Sequence, residues 1–282
     1  MTHLQSKQAS LPQDSPPLLV SDSLQQPTKG LQSSSKVNIL GMEFDNLSRQ
    51  ELLNSLRKGV VFTPNVDHLM KLRSDSEFAS IYRKADFRIC DSQIVMYASR
   101  LLGTPLKAKL SGSDLFPWFC DHHQHNQKIT IFLLGGRAGV AKRAKSRINA
   151  RVGREIVVGE YAPPFGFEHN EMECDLVVSK IKHSGATVVA VCLGAPKQEK
   201  WIAAHCDRLP MVDIFMAVGA VVDFESGMKP RAPQYISGLG LEWLYRLICE
   251  PRRLWRRYLV EDMPFIWLVL AEKARLMGLA RR

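Results

Sequence analysis

The sequence predicts an α/β fold: a parallel sheet with helices on both faces, followed by a helical, basic C-terminal appendage. Three observations carry this. From residue 128 onward, strand-like and helix-like segments alternate regularly. The strand segments, TVVAVC (187–192) and MVDIFMAV (211–218) among them, are apolar almost throughout, as strands covered on both faces are. Each ends in a turn of glycine and small polar residues, and strand–helix–strand repetition of this kind builds a Rossmann-like sheet.

Residues 1–36 hold eight Ser, six Gln and four Pro. Few large side chains are available there to offset ordering entropy, so a disordered tail is expected, with a Rossmann-like α/β domain over 37–240 and the appendage over 241–282. VNILGMEFD reads as a hairpin turning near Gly41. SRQELLNSLRKG (48–59) reads as a helix capped by Ser48 and stopped by Gly59. VVFTPN (60–65) is a strand ending at Thr63-Pro64-Asn65. HLMKLRSDSEFASIYRKA (68–85) is helical in two pieces, FRICD (87–91) a short strand, and SQIVMYASRLLG (92–103) a helix with Ser92 near its cap. Then KITIFLLGG, REIVVGEY, TVVAVCLG and MVDIFMAVGAV are strands, separated by helices at AGVAKRAKSRI, EMECDLVVSKIKHSG and APKQEKWIAAHC.

The chain of 282 residues is 45% apolar, enough for a substantial core, and its formal charge of +10 points to an anionic partner: nucleic acid, acidic lipid or a phosphorylated small molecule. Six scattered cysteines without a CxxC spacing read as reduced, buried thiols rather than a zinc site. No secretory signal is visible. The longest late apolar run, PFIWLVLA (264–271), is far short of the ~20 residues a helical span needs.

In a parallel sheet the turns TPN, CDS, LLGGRAG, CLGAPKQE and AVGAVVDF share one rim, where ligands of such folds bind. Gly135, Gly136, Gly194 and Gly219 would let a ligand approach the backbone, and the helix starts beyond them offer N–H groups to phosphate. No full GxGxxG and no Walker sequence is present. DFE (223–225) is a poor carboxylate pair for a metal, so neither metal nor cofactor is expected. Asp91 has two readings: an N-cap for the next helix, or a general base taking a proton from a hydroxyl held by Thr63 and Asn65. Gln198 could reach a sugar or a base, while Lys197 and Lys200 read as surface charges and Trp201 as core.

LEWLYRLICEPRRLWRRYLVED (241–262) interleaves Arg246, Arg252, Arg253, Arg256 and Arg257 with Trp, Tyr and Leu at helical spacing. Pro251 starts a second helix, with Arg253, Arg256 and Arg257 near one face. A solvated face, a membrane-surface helix and a phosphate clamp are the competing readings.

The series TPNVDH, ADFRICDSQIVMYASRLLGTPL, SGSDLF, FLLGGRAGVA, LGAPKQEKW, AVGAVVDFESG, KPRAPQYI and GLEWLYRLICEPRRLWRRYL, from about residue 38 to 260, resembles the WecG/TagA/CpsF glycosyltransferase family, glycosyltransferase family 26. The resemblance implies an inverting, metal-independent transfer from a UDP-sugar, of the UDP-hexose or UDP-N-acetylmannosamine type, to a polyprenyl-diphosphate-linked sugar. The setting implied is surface or exopolysaccharide synthesis by a cytoplasmic protein held peripherally on the inner face of the membrane. Asp91 matches the family's proposed base, although Ser92 stands where Gly is common and Ala220 where a second Gly is frequent. Thr63 and Gln198 match the family's Thr and Gln, and Arg246, Arg253 and Arg256 match its appendage arginines. Asp223 is assigned to the ribose or uracil. The rival readings are a nucleotide-binding regulator and a nucleic-acid binder using the basic end. The resemblance favours no nucleic-acid partner and leaves homo-oligomerisation open.

Overall fold

The computed structural model describes residues 35–233, 236–237 and 240–278; residues 1–34 of the expected tail lie outside the described residues. An antiparallel hairpin comes first, β1 (Lys36–Ile39) with β2 (Met42–Asp45). Its turn places Leu40 and Gly41 at φ 52° and 89°, the double positive-φ geometry that two-residue hairpins favour. Asp45 fastens the hairpin to the main sheet, its Oδ2 accepting the Arg88 N–H at 2.8 Å.

Helix α1 (Arg49–Ser55) begins with a reciprocal capping box between Ser48 and Glu51. It ends at Ser55, so Gly59 is not its stop. Gly59 instead opens strand β3 (Gly59–Phe62), at φ 125° and so close to Asp86 that a Cβ would fall 2.6 Å from its carboxylate. Helices α2 (Val66–Ser74) and α3 (Ser76–Arg83) are the two expected pieces, broken at Asp75, whose side chain caps α3. Strand β4 is only Phe87–Arg88. Beyond it the chain stays alongside β3, with the Ile89 N–H on Phe62 O and the Asp91 N–H on Pro64 O, both at 3.0 Å.

The remaining elements are α4 (Gln93–Leu101), α5 (Gly112–His122), β5 (Ile131–Gly135), α6 (Val140–Val152), β6 (Val157–Tyr161), α7 (Glu171–Ser184), β7 (Val188–Cys192), α8 (Lys197–His205), β8 (Ile214–Ala217), α9 (Val221–Glu225), α10 (Glu242–Cys249), α11 (Pro251–Arg256) and α12 (Pro264–Leu276). Strands β4-β3-β8-β7-β5-β6 form a six-stranded sheet in that order, every neighbouring pair parallel. The strand carboxyl ends therefore share one edge.

Alternate strand residues feed two core layers. Phe62, Phe132, Leu134, Val189, Val191 and Phe215 pack with Phe78, Tyr82, Val177 and Trp201 on one face. Val61, Ile131, Leu133, Val188, Ile214 and Met216 pack with Leu52, Phe116, Phe119 and Ile148 on the other. The terminal helices are anchored on this body. Phe265 and Val269 of α12 join the cluster that contains Val66 and Leu69 of α2, each such burial contributing roughly 2 kcal/mol. The other side of α12 is exposed and apolar: Ile266, Trp267 and Leu270 face outward. Among the described residues no helix is long and apolar enough to cross a membrane.

Candidate active site

Asp91 follows β4 at the strand-end edge. Ser92 makes the cap of α4, its side chain accepting the Val95 N–H at 3.3 Å, so Asp91 is not spent on capping. Among the described residues its carboxylate takes no hydrogen bond and no ion pair. It is half-buried and faces a cavity of about 180 Å³ whose walls include Asn65, Lys109, Trp243, Arg246, Tyr258 and Phe265. Burial pushes its pKa up to about 7; Arg246 and Lys109 oppose the rise, and Glu242 and Asp114 add to it. A free carboxylate that ionises near neutrality can accept a proton in its working range.

Next to it lies a larger cavity of about 410 Å³, walled by Phe224, Lys229, Arg231, Tyr245, Arg246 and Arg253. The two cavities share Ser237, Glu242 and Arg246. Glu242 holds the cations at this junction: its carboxylate lies 3.4 Å from Lys109 Nζ and 2.8 Å from Arg246. Arg246 also stacks over the Phe224 ring at 5.6 Å. A recess of about 400 Å³ continues from the larger cavity to Gly136, Arg137 and Asp223. Its wall is a charge ladder: Asp223 to Lys229 at 3.1 Å, Lys229 to Glu250 at 3.1 Å and Glu250 to Arg253 at 2.5 Å. A carboxylate with a raised pKa thus sits beside a group of cations, the kind of side chains that bind diphosphates. Among the described residues no three His, Cys, Asp or Glu side chains converge as metal ligands.

The structure brings Asp91, Asn65 and Arg246 together in one cavity, and Gly136, Asp223 and Arg253 in the recess. Other expected residues sit elsewhere. Thr63 is buried, and its hydroxyl donates to Ala217 O at 3.1 Å, tying β3 to β8. Gly135 is required by packing, since a Cβ would lie 2.5 Å from Cys192 O. Gly194 is open, at φ 78°. Gln198 is buried and does not present its amide to a ligand: its Oε1 accepts the Gly219 N–H at 3.0 Å and its Nε2 donates to Glu199 at 2.9 Å. That bond also occupies the Gly219 N–H. Arg256 is largely exposed and pairs with Glu261 at 3.3 Å. Arg257 turns away from Arg253 towards Asn65 and Asp67, so the expected common face of Arg253, Arg256 and Arg257 does not form.

Lys109, Lys229, Arg231, Glu242, Trp243 and Tyr258 line the site without having been singled out as candidates. They lie in stretches quoted for other reasons, KPRAPQYI and LEWLYRLICEPRRLWRRYLVED, or just before SGSD. Only the fold, which carries α5 and α10 to the strand-end edge, selects them.

A parallel α/β sheet with a carboxylate and a cation-lined cavity together at its strand ends is the arrangement of an α/β ligand-binding enzyme site. The chain belongs to the WecG/TagA/CpsF family of glycosyl transferases, whose model matches residues 37–278. It is therefore a glycosyltransferase. Similar curated proteins include the N-acetylglucosaminyldiphosphoundecaprenol N-acetyl-beta-D-mannosaminyltransferases of Staphylococcus aureus strains NCTC 8325 and COL, each 25% identical over 256 residues, which is 86% of this chain and 95% of theirs.

Proposed function

We propose that the chain transfers a sugar, with inversion and without a metal, from a UDP-sugar to a polyprenyl-diphosphate-linked sugar. The observation that carries this is the unpaired Asp91 carboxylate, held near neutral pKa beside the shared Arg246. In the proposed reaction the donor diphosphate lies among Lys229, Arg246 and Arg253, with the nucleoside towards Gly136 and Asp223. The acceptor hydroxyl enters the Asp91 cavity past Asn65. Asp91 takes the hydroxyl proton as the oxygen bonds to the anomeric carbon. The carbon–phosphate oxygen bond breaks on the opposite face, and UDP leaves with the bonding electrons. The cations then neutralise the leaving diphosphate, the task a metal performs elsewhere; fixed charge of this type supplies about 3 kcal/mol per donor.

The relatives' name gives N-acetylmannosaminyl as the group transferred and N-acetylglucosaminyldiphosphoundecaprenol as the acceptor, which supports UDP-N-acetylmannosamine as the proposed donor and an N-acetylglucosamine-bearing carrier as acceptor, with UDP-hexose the alternative donor. The apolar wall of the Asp91 cavity, Tyr258, Leu259, Phe265 and Ile266, suits a polyprenyl chain. Exposed Trp255, Leu259, Val260, Ile266 and Trp267 beside Arg252 and Arg256 suit peripheral attachment to the inner membrane face; pairing of copies through this face is the competing use.

The test is product mass spectrometry with UDP-N-acetylmannosamine and UDP-glucose, a short-chain polyprenyl-diphosphate-N-acetylglucosamine, and excess EDTA. Transfer by the wild type in EDTA is expected, with the opposite anomeric configuration in the product when its anomeric linkage is read by NMR. Turnover that stops with EDTA and returns with a divalent ion refutes the metal-independent part, and full activity of Asp91→Asn refutes the base.

A further inference from the structure

Glu199 is a carboxylate with no exposure at all, one residue beyond Gln198 in the first turn of α8. Its one ion-pair neighbour among the described residues is His68, which is itself buried. A buried carboxylate without a cation is costly, and nothing in the proposed reaction uses it.

Its surroundings form a line of contacts. The Asn65 N–H donates to His68 Nδ1 at 3.0 Å. Burial takes the His68 pKa down to about 3, so the ring is neutral, and an acceptor at Nδ1 leaves its proton on Nε2. That Nε2 lies 3.6 Å from Glu199 Oε1, a close polar contact rather than a hydrogen bond, and the nitrogen has no hydrogen-bond partner among the described residues. The same Glu199 oxygen accepts from Gln198 Nε2 at 2.9 Å, and Gln198 Oε1 accepts the Gly219 N–H at 3.0 Å.

We propose that Glu199 is a positioning residue, which fixes the two sides of the active-site rim relative to one another through the buried chain Asn65–His68–Glu199–Gln198–Gly219. Each end of the chain reaches the site. Asn65 walls the Asp91 cavity, and the preceding Pro64 carbonyl holds the Asp91 N–H at 3.0 Å. Gly219 leads into Ala220 and Phe224, which wall the larger cavity, and into Asp223. Burial raises the Glu199 pKa to about 7; once ionised, as at pH 8, the carboxylate can only accept. It compels the Gln198 amide to turn its nitrogen inward and its oxygen to Gly219; an amide facing the other way would set N–H against N–H. Acceptor and donor are thus held in one register by a group that touches neither.

This inference rests on the transferase reading of the rim, and the test separates the two. Glu199→Met keeps the volume, removes the costly carboxylate and breaks the chain. Glu199→Gln keeps an oxygen acceptor for Gln198. Two readouts are taken: kcat and KM with the UDP-sugar and carrier, and amide hydrogen exchange at Asn65 and Gly219. The Met variant is expected to melt at or above the wild-type temperature at pH 8 while kcat falls about 10²-fold, the effect of misplacing reacting groups by about 1 Å. Both amides should exchange faster together, and the Gln variant should recover kcat to within about threefold. A Met variant with wild-type kcat, or one that deprotects Gly219 alone, overturns the proposal. So does failure of both variants to fold, which makes the carboxylate a requirement of the fold itself. If the wild type turns over no UDP-sugar, the substrate reading fails, and the exchange of the two amides still decides the chain.

Discussion

Replacing Asp91 by Asn should lower activity and raise stability at once. The carboxylate's pKa is carried from an ordinary 3.8 to about 7, chiefly by burial. At about 1.4 kcal/mol per pKa unit, ionising it in the folded protein costs up to about 4 kcal/mol. The sign follows from proton binding. Between pH 4 and 7 the folded state holds the proton more tightly than the unfolded state, so this group's contribution to stability is full below about pH 4. It declines as pH rises and is lost above about pH 7. Asn cannot ionise, so the variant escapes the decline. Melting curves of wild type and Asp91→Asn should nearly coincide at pH 4 and diverge by pH 8, with the variant the more stable. Transfer should fall by about 10²–10⁴, the usual worth of a general base. The rising limb near pH 7 in wild-type kcat/KM should vanish. A variant that loses activity and stability together would show that Asp91 is a structural polar group. One that keeps the pH limb would place the base elsewhere.

Glu242→Gln removes a negative charge that pushes the Asp91 pKa up, so the acidic limb of kcat/KM should move below pH 7; an upward move contradicts the sign. Arg253→Ala should cost about 3 kcal/mol of transition-state stabilisation, roughly 10²-fold in kcat, read by steady-state kinetics at saturating donor, with little change in melting temperature because its side chain is exposed. Ser48→Ala removes the cap of α1, far from the site, and should lower stability by about 1 kcal/mol in urea denaturation with kcat unchanged.

The sheet was readable because buried parallel strands are apolar runs of fixed length, and TVVAVC and MVDIFMAV have no other use. Helix α5 escaped because GSDLFPWFCDH carries a proline and buries several of its apolar residues, which blurs the amphipathic period. Strand β4 is short because only Phe87 and Arg88 stay in ladder register with β3, the bonds from Ile89 and Asp91 to Phe62 O and Pro64 O continuing beside it without a ladder. At the site, Asp91 and Arg246 were legible as residue types at a strand end and on a basic helix. Gln198 was placed in the right turn but given the wrong direction. Whether an amide faces solvent or a neighbouring loop depends on Glu199 and Gly219, and the pairing with Gly219 lies 21 positions away. Lys109 and Glu242 pair across 133 positions, a separation that no local pattern encodes.

Arg246 belongs to both cavities, and in the proposed reaction this would couple the donor to the base. In the free enzyme Arg246 is the strongest charge holding the Asp91 pKa down. A donor diphosphate settling on Arg246 and Arg253 cancels that charge and adds its own, so the Asp91 pKa must rise when the donor is bound. On that proposal the base would strengthen only once there is a leaving group to expel, and a hydroxyl would not be deprotonated in an empty site. The kinetic consequence has a fixed sign. The profile of kcat/KM for the donor reports the free enzyme and that of kcat the complex, so the acidic limb of kcat should lie above that of kcat/KM. In Arg246→Lys, which keeps the charge but loses the fork, the gap should narrow. In Arg246→Ala the free-enzyme limb should itself move up towards the complex value. Coincident limbs in the wild type, or a complex limb below the free-enzyme one, would mean that the diphosphate binds away from Arg246 and that the two cavities act independently.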